Sequence, residues 1–221
     1  MWSIELTDEA VRWLEGLTQK ERSSIAAAIT LLEELGPQLG RPAVDSIKGS
    51  RHSNMKELRS FGGHLRALFC FDPQRTAIIL LGGDKSNDWS GWYVRNIPIA
   101  DEMYDEISEG LTRERNVVMK KNSWTELRPN LDLDERVVAE EILLLRLAVL
   151  REMVGISQKA LSDKLGTSQP NVSQIERSED MKVSTLLRYV HALGARLEIN
   201  AVIDNQSLSL FDDEFDSSQL I

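Results

Sequence analysis

Residues 157–179, SQKALSDKLGTSQPNVSQIERSE, constrain this chain more than any other stretch, because they leave the backbone so little choice. Ser157 is a natural cap for a helix over QKALSDKL, and Gly166 supplies the left-handed conformation in which such a helix ends and a tight turn begins. Thr167 or Ser168 then caps a second helix, QPNVSQIERS, with Pro170 in its first turn, where a missing N–H costs nothing. Two short helices joined in this way meet at a sharp angle. Ala160 is read as the small residue at their crossing, with Leu161, Leu165, Val172 and Ile175 filling the space between them. What remains near the start of the second helix is polar: Gln169, Asn171, Ser173 and Gln174. Amides there suit adenine edges, hydroxyls suit bases or phosphates, and Lys159, Lys164 and Arg177 suit phosphates. A helix pair whose polar face only meets water has the same periodicity.

The neighbouring sequence extends this helical region. DERVVAEEILLLRLAVLREMVG reads as one long helix ended by Gly155; Arg146 and Arg151 interrupt its apolar run, which makes it a buried helix and not a membrane span. KVSTLLRYVHALG closes the helical part, and ARLEINAVI alternates as a strand. Residues 204–221 carry five acids and no base around Leu208, Leu210, Phe211 and Phe215, a composition expected to be disordered.

The front of the chain has a different grammar. WSIEL is a short strand candidate; Thr7 caps a helix opening on Asp8 and Glu9; KERSSIAAAITLLEELG follows as a second helix stopped by Gly36-Pro37. NMKELRS, HLRALFCFD and TAIILLGG are apolar runs separated by turn signals, which predicts an antiparallel meander. IPIADEMYDEISEGL then predicts a helix opening after Pro98. From 111 to 130 the sequence is polar and aperiodic. Four segments result: a domain over 1–112, a linker over 113–137, a helical domain over 138–203 and the acidic tail over 204–221. The expected fold class is α+β in front, helices plus an antiparallel sheet, followed by an all-α domain with a C-terminal strand.

Composition narrows the chemistry. The net charge of −9 argues against a protein that coats nucleic acid nonspecifically, yet charge is uneven: residues 116–203 balance at 12 bases against 12 acids. Within the acidic front domain, residues 43–75 hold Lys48, Arg51, Lys56, Arg59, Arg66 and Arg75 against Asp45, Glu57 and Asp72. Cys70 is the sole cysteine, which excludes a disulfide framework. The His and Cys content offers no metal set, so neither a metal nor another cofactor is expected. GGDKSNDWSGW lacks the lysine-Ser/Thr ending at the spacing a phosphate-binding loop requires, which argues against nucleotide hydrolysis. The N-terminus has no secretory pattern, and a cytoplasmic protein with no membrane partner is expected.

ISQKALSDKLGTSQPNVSQIERSE resembles the Cro/repressor-type helix-turn-helix family over roughly residues 138–194, and LGARLEINAVI after the last helix further resembles the HigA-type antitoxins. The resemblance implies a homodimer on a pseudo-palindromic operator, with Gln158, Lys159, Ser168, Gln169, Asn171, Ser173, Gln174 and Arg177 as the DNA-facing set. The front half, with ELR, LRALFCFDP, ILLGGDKS, WY and IPIADEMYDE, resembles the phage-type HigB branch of the RelE-like toxins over most of residues 2–107. That resemblance implies ribosome-dependent cleavage of mRNA. Attack by a 2′-hydroxyl needs a proton acceptor, charge stabilisation at the phosphate and a donor to the leaving 5′-oxygen. Arg66, mid-strand between apolar neighbours, matches the family's phosphate-contacting arginine, and Lys85 its second basic position; Arg59, Tyr93 and His64 complete the candidate set. Trp92 and Tyr93 suit either a core or base stacking.

Toxin before antitoxin is the order of a HigBA pair, here in one polypeptide. One reading is a toxin held silent in cis by an antitoxin domain that also represses its own promoter. The other is a transcriptional repressor whose toxin-like front domain has lost catalysis. The sequence leaves open whether a docked antitoxin covers Arg66 and Lys85 or blocks entry to the ribosome.

Overall fold

In the computed structural model the described residues are 1–61, 63–86, 88–112, 121–178, 181–204 and 206–212. They form two compact units, Met1–Val149 and Leu150–Ile221.

The first unit is built on a mixed sheet in the order β2-β3-β4-β5-β1-β6. β1 (Ser3–Thr7) leads directly into α1 (Asp8–Glu15), where Thr7 caps by accepting from the Ala10 amide while its hydroxyl donates to the Leu80 carbonyl. α2 (Gln19–Leu35) opens on a full capping box between Thr18 and Glu21 and buries a continuous face from Ile25 to Leu32. β2 (Val44–Ser46), β3 (Met55–Arg59), β4 (Leu65–Phe71) and β5 (Thr76–Asp84) pair antiparallel in sequence order, the expected meander with one added edge strand. β1 then lies parallel to β5, which makes the sheet mixed. The chain runs from β1 to β5 through α1, α2 and the whole β2–β4 meander, far longer than the crossover a parallel neighbour requires.

Alternation along β3 and β4 divides the core between the two faces. Leu58, Ala67 and Phe69 join α1 and α2 on one side; Met55, Leu68 and Cys70 join Trp92, Ile97, Ala100 and Tyr104 of α3 on the other. α3 runs Trp89–Thr112, so it begins well before the expected start at Pro98. Asp88 explains the difference: its carboxylate accepts from the Gly91 amide and caps the helix. Pro98 is tolerated inside because it is exposed, as is Val94, whose carbonyl it leaves without a helical partner.

The expected linker over 113–137 contains structure from 121 onward; 113–120 lie outside the described residues. β6 (Lys121–Ser123) pairs antiparallel with the outer edge of β1, and Lys121 pairs with Glu5 at 2.9 Å. α4 (Trp124–Leu127) buries Trp124 in the α1/α2 core. The helix α5 (Glu135–Met153) adds Val138, Leu145 and Val149 to the same core. Polar contacts fix its register on α2: Ser24 donates to Glu141 at 2.5 Å, and Arg146 reaches both Glu34 oxygens at 2.7 and 2.8 Å.

In the second unit α6 (Gln158–Lys164) and α7 (Gln169–Ile175) carry the expected caps, Ser157 and Ser168. Gly166 at φ 61° makes the turn between them. The small residue buried here is Ser162, which donates to the Lys159 carbonyl at 2.7 Å; Ala160, expected at the crossing, is exposed. Ala160 lies one position off the α6 face that turns inward with Leu161. α8 (Val183–Ala192) follows. β7 (Glu198–Ile203) is not a lone strand: β8 (Gln206–Asp212), in the segment expected to be disordered, returns antiparallel beside it. Residues 213–221 of the tail lie outside the described residues.

Candidate functional sites

Glu57 and Arg59 on β3 and Arg66 on β4 share the sheet face that α3 covers, by the same alternation that puts Met55 and Leu68 there. Arg59 stands directly across from Arg66 in the register. Two guanidiniums opposite one another repel unless an anion sits with them. Glu57 is that anion. It is buried at 3% exposure, accepts from Arg59 Nε at 2.7 Å and again from Arg59 Nη2, and lies 3.8 Å from Arg66 Nε.

Arg66 is held stretched along the sheet, its Nη1 donating to the Leu65 and Gly63 carbonyls at 2.7 and 3.2 Å. Its Nε is buried and has no hydrogen-bond partner. Its register partner on β5 is Gly83, where a Cβ would collide with Trp92 Nε1. The missing side chain lets α3 approach the sheet beside Arg66.

Lys85 follows β5 and is only 2% exposed; its amide donates to the His64 carbonyl at 3.2 Å. Burial, reinforced by the charge of Arg66, pulls its ammonium down to about 8. Lys85 Nζ donates to the Tyr93 hydroxyl at 3.4 Å, and that hydroxyl donates to Glu57 Oε2 at 2.5 Å. Burial and the bond to Glu57 push the Tyr93 phenol up to about 12, which keeps it a neutral hydroxyl at ordinary pH.

Arg59, Arg66, Lys85 and Tyr93 therefore converge. His64 does not: its side chain is exposed, and it contributes only its backbone carbonyl. Glu57 is the residue that sequence reasoning counts as one acid among several bases. The signal for it is positional, since its spacing from Met55 puts a carboxylate on a buried face. Trp92 is core, and Tyr93 is part of the polar cluster. A pair of cations at a buried carboxylate, beside an amine that changes charge near neutrality, is equipped to grip a phosphodiester and move protons. The apolar side chains of segment 121–149 pack on the other face of the sheet, that of α1 and α2.

On the second unit, Lys159, Ser168, Gln169, Asn171, Gln174 and Arg177 are all exposed, and Gln158 and Ser173 are partly so. Gln169 Nε2 donates to Gln158 Oε1 at 3.4 Å, which sets those two amides side by side, and Asn171 donates to Thr167 Oγ1 at 2.8 Å. Beneath them Glu176 accepts from Arg151 Nε at 2.7 Å, from the Tyr189 hydroxyl at 2.6 Å and from Gln158 Nε2 at 2.7 Å. This network anchors Gln158 to the core. A cavity of about 450 Å³ lined by Asn171, Gln174, Lys182, Thr185 and Arg188 continues the polar surface between α7 and α8. Among the described residues no helix is long and apolar enough to cross a membrane.

Comparison with known proteins agrees with this division. The family described as "Phage derived protein Gp49-like (DUF891)" matches residues 12–105, and a helix-turn-helix family matches 147–199. HigB3 of Mycobacterium tuberculosis strain H37Rv, described as a toxin candidate, is 50% identical over 100 residues, spanning 45% of this chain and 88% of that protein. HigB2 of the same strain, described likewise, is 52% identical over 108 residues; the match spans 48% of this chain and about half, 53%, of HigB2. A solved structure titled "Induced DNA bending by unique dimerization of HigA antitoxin" is 33% identical, covering 29% of this chain and 88% of its own, with a TM-score of 0.28.

Proposed function

The chain belongs to the Gp49-like family of HigB-type toxins, here joined to a helix-turn-helix domain, and from that premise we propose that it is a toxin and its antitoxin in one polypeptide. The front domain is an endoribonuclease that cuts mRNA at the ribosome by 2′-hydroxyl attack. The observation that carries this reading is the buried cluster of Glu57, Arg59, Arg66, Lys85 and Tyr93. Arg59 and Arg66 hold the phosphate and stabilise the charge that develops on it; Lys85, an ammonium that loses its proton near pH 8, gives that proton to the leaving 5′-oxygen.

Residues 121–149 neutralise the toxin. Their contacts with β1 and α2 lie on the face away from the cluster, which supports silencing by bulk at the ribosome and not by plugging the catalytic groups. A covalent tether sets the effective concentration of this segment on the order of millimolar. The second unit binds a pseudo-palindromic operator as a homodimer and represses its own promoter, with Gln169 and Asn171 reading bases and Lys159 and Arg177 on phosphates. Both partners, ribosome and operator, place the protein in the cytoplasm.

The test is expression of residues 1–112 beside the full chain from a tight inducible promoter. HigB3, matched over 88% of its length by this region, is a chain of that extent, so the fragment is a reasonable unit to express. Growth arrest with mRNA cleavage from the fragment alone is expected, abolished by Arg66→Ala with Lys85→Ala. Healthy growth with soluble, folded fragment present would overturn the toxin assignment. It would leave the second reading, a repressor with a silent front domain, which the low exposure of Arg66 (7%) and Lys85 (2%) favours.

A further inference from the structure

The first unit contains a hydrogen-bonded line of three titratable side chains with a buried carboxylate at one end and a buried amine at the other. Lys85 Nζ donates to Tyr93 Oη at 3.4 Å, and Tyr93 Oη donates to Glu57 Oε2 at 2.5 Å. Taking the RNA-cleavage reading as its basis, we propose that Glu57, acting through Tyr93, receives the proton of the attacking 2′-hydroxyl and returns it to Lys85 after each cleavage.

The step balances as follows. As the 2′-oxygen bonds to phosphorus and the P–O5′ bond breaks, the 2′-proton passes to Tyr93 Oη while Tyr93's own proton passes to Glu57 Oε2. Lys85 gives a proton to O5′. The products are a 2′,3′-cyclic phosphate and a 5′-hydroxyl, and the protein is left with a protonated Glu57 and a neutral Lys85. One shift along the same hydrogen bonds, Glu57 to Tyr93 to Lys85, restores the starting state with no proton drawn from solvent.

Three observations favour this assignment over a purely structural Glu57. Arg59 alone is enough to pair a carboxylate, yet Glu57 also takes the Tyr93 hydroxyl, on an oxygen separate from the one that Arg59 uses. Tyr93 and Lys85 come from different elements, α3 and the loop after β5, so the line is a tertiary arrangement and not a by-product of one helix. Arg66 Nε lies 3.8 Å from Glu57 at one end of the line, and its charge is also felt by Lys85 at the other, which puts a phosphate-binding cation next to the line. Glu57 is thus a positioning residue and proton store, and Tyr93 is the group that touches the 2′-hydroxyl.

The experiment uses purified residues 1–112, checked for folding by circular dichroism, on mRNA-programmed ribosomes, with the full chain for spectroscopy. Glu57→Gln and Tyr93→Phe should each slow cleavage on the order of a hundred-fold, and the double variant should be no slower than either, because groups that act as one unit are not additive. Tyr93→Phe leaves the Glu57–Arg59 pair intact and keeps the test decisive should Glu57→Gln fail to fold. In the full chain, side-chain ¹⁵N NMR of Lys85 should show its titration moving to lower pH in Glu57→Gln, since the carboxylate that favours the ammonium is gone. Wild-type rate and pH profile in Tyr93→Phe, or multiplicative losses in the double variant, would overturn the relay while leaving the nuclease standing. A folded wild-type fragment that cuts nothing would remove the nuclease reading and the relay with it, and the Lys85 titration would then report only electrostatic coupling.

Discussion

Glu176→Ala offers the sharpest stability test, because the structure gives this side chain three partners in a place almost closed to solvent. Glu176 is 4% exposed, Arg151 5% and Tyr189 fully buried, with the Arg151 guanidinium and the Tyr189 hydroxyl both on Oε1 and Gln158 on Oε2. Removing the carboxylate takes the 2.7 Å partner from a buried guanidinium that keeps only the exposed Glu152 carboxylate and the Ile156 carbonyl, and removes the acceptor of Gln158 and of the Tyr189 hydroxyl as well, a loss of about 3 kcal/mol, the lower end for a broken buried pair. A unit the size of Leu150–Ile221 has a total stability on the order of 4–11 kcal/mol, so the variant should lose between about a quarter and three quarters of it. The assay is amide hydrogen exchange in the full chain, read on peptides from α6, α7 and α8. Protection there should fall by more than about a hundred-fold, at about 1.4 kcal/mol for each factor of ten, with the first unit unchanged. Replacing the set by apolar groups, Arg151→Met, Glu176→Leu and Tyr189→Phe together, should recover most of the loss. Exchange in Glu176→Ala within a factor of three of wild type would refute the premise that this network is shielded from solvent.

Three further outcomes are expected. RNA cleavage by residues 1–112 should fall as pH rises through about 8, since Lys85 carries its proton below that value and loses it above; an alkaline limb near the ordinary lysine value of 10.5, seen in the pH–rate profile, would remove Lys85 as the donor. Gln169→Ala with Asn171→Ala should weaken operator binding by roughly 1–3 kcal/mol for each base no longer read, with little change in the salt dependence, measured by titration of operator and scrambled duplexes. Trp124→Ala should cost the first unit about 3–5 kcal/mol through the cavity it leaves among α1, α2 and α5, and the exchange of β6 amides should accelerate accordingly.

Much of this molecule is legible in the sequence wherever the deciding physics is local. Caps at Thr7, Ser157 and Ser168, the turn at Gly166 and the apolar runs of β3, β4 and β5 all depend on a few adjacent residues. Arg66 and Lys85 stand out for the same reason, as basic residues in or beside apolar strands. Glu57 does not, because its meaning depends on Arg59, Arg66 and Tyr93, which reach it from three elements. β6 and Trp124 lie in a polar, aperiodic stretch, and only the vacant edge of β1, set by distant pairing, gives those residues a place. β8 is similar: alternation in QSLSLFD is weak beside the acids that follow, and pairing with β7 decides it. The start of α3 is a local matter too, since Asp88 is a capping residue, but Pro98 is the more conspicuous signal.

The three-residue strand β6 completes the border of the front domain's sheet, and cutting the chain before it would change that border. With Lys121–Ser123 in place, β1 is an interior strand, paired with β5 on one side and β6 on the other. Without it, SIELT becomes the rim of a six-stranded sheet reduced to five, presenting unpaired backbone donors and acceptors beside Ile4 and Leu6. Such a rim invites any extended chain, including another copy of itself. Under the proposed reading, release of the front domain therefore starts a contest between finding its target and self-association, and the stretch assigned to silencing it would also serve as the chaperone of its most adhesive border.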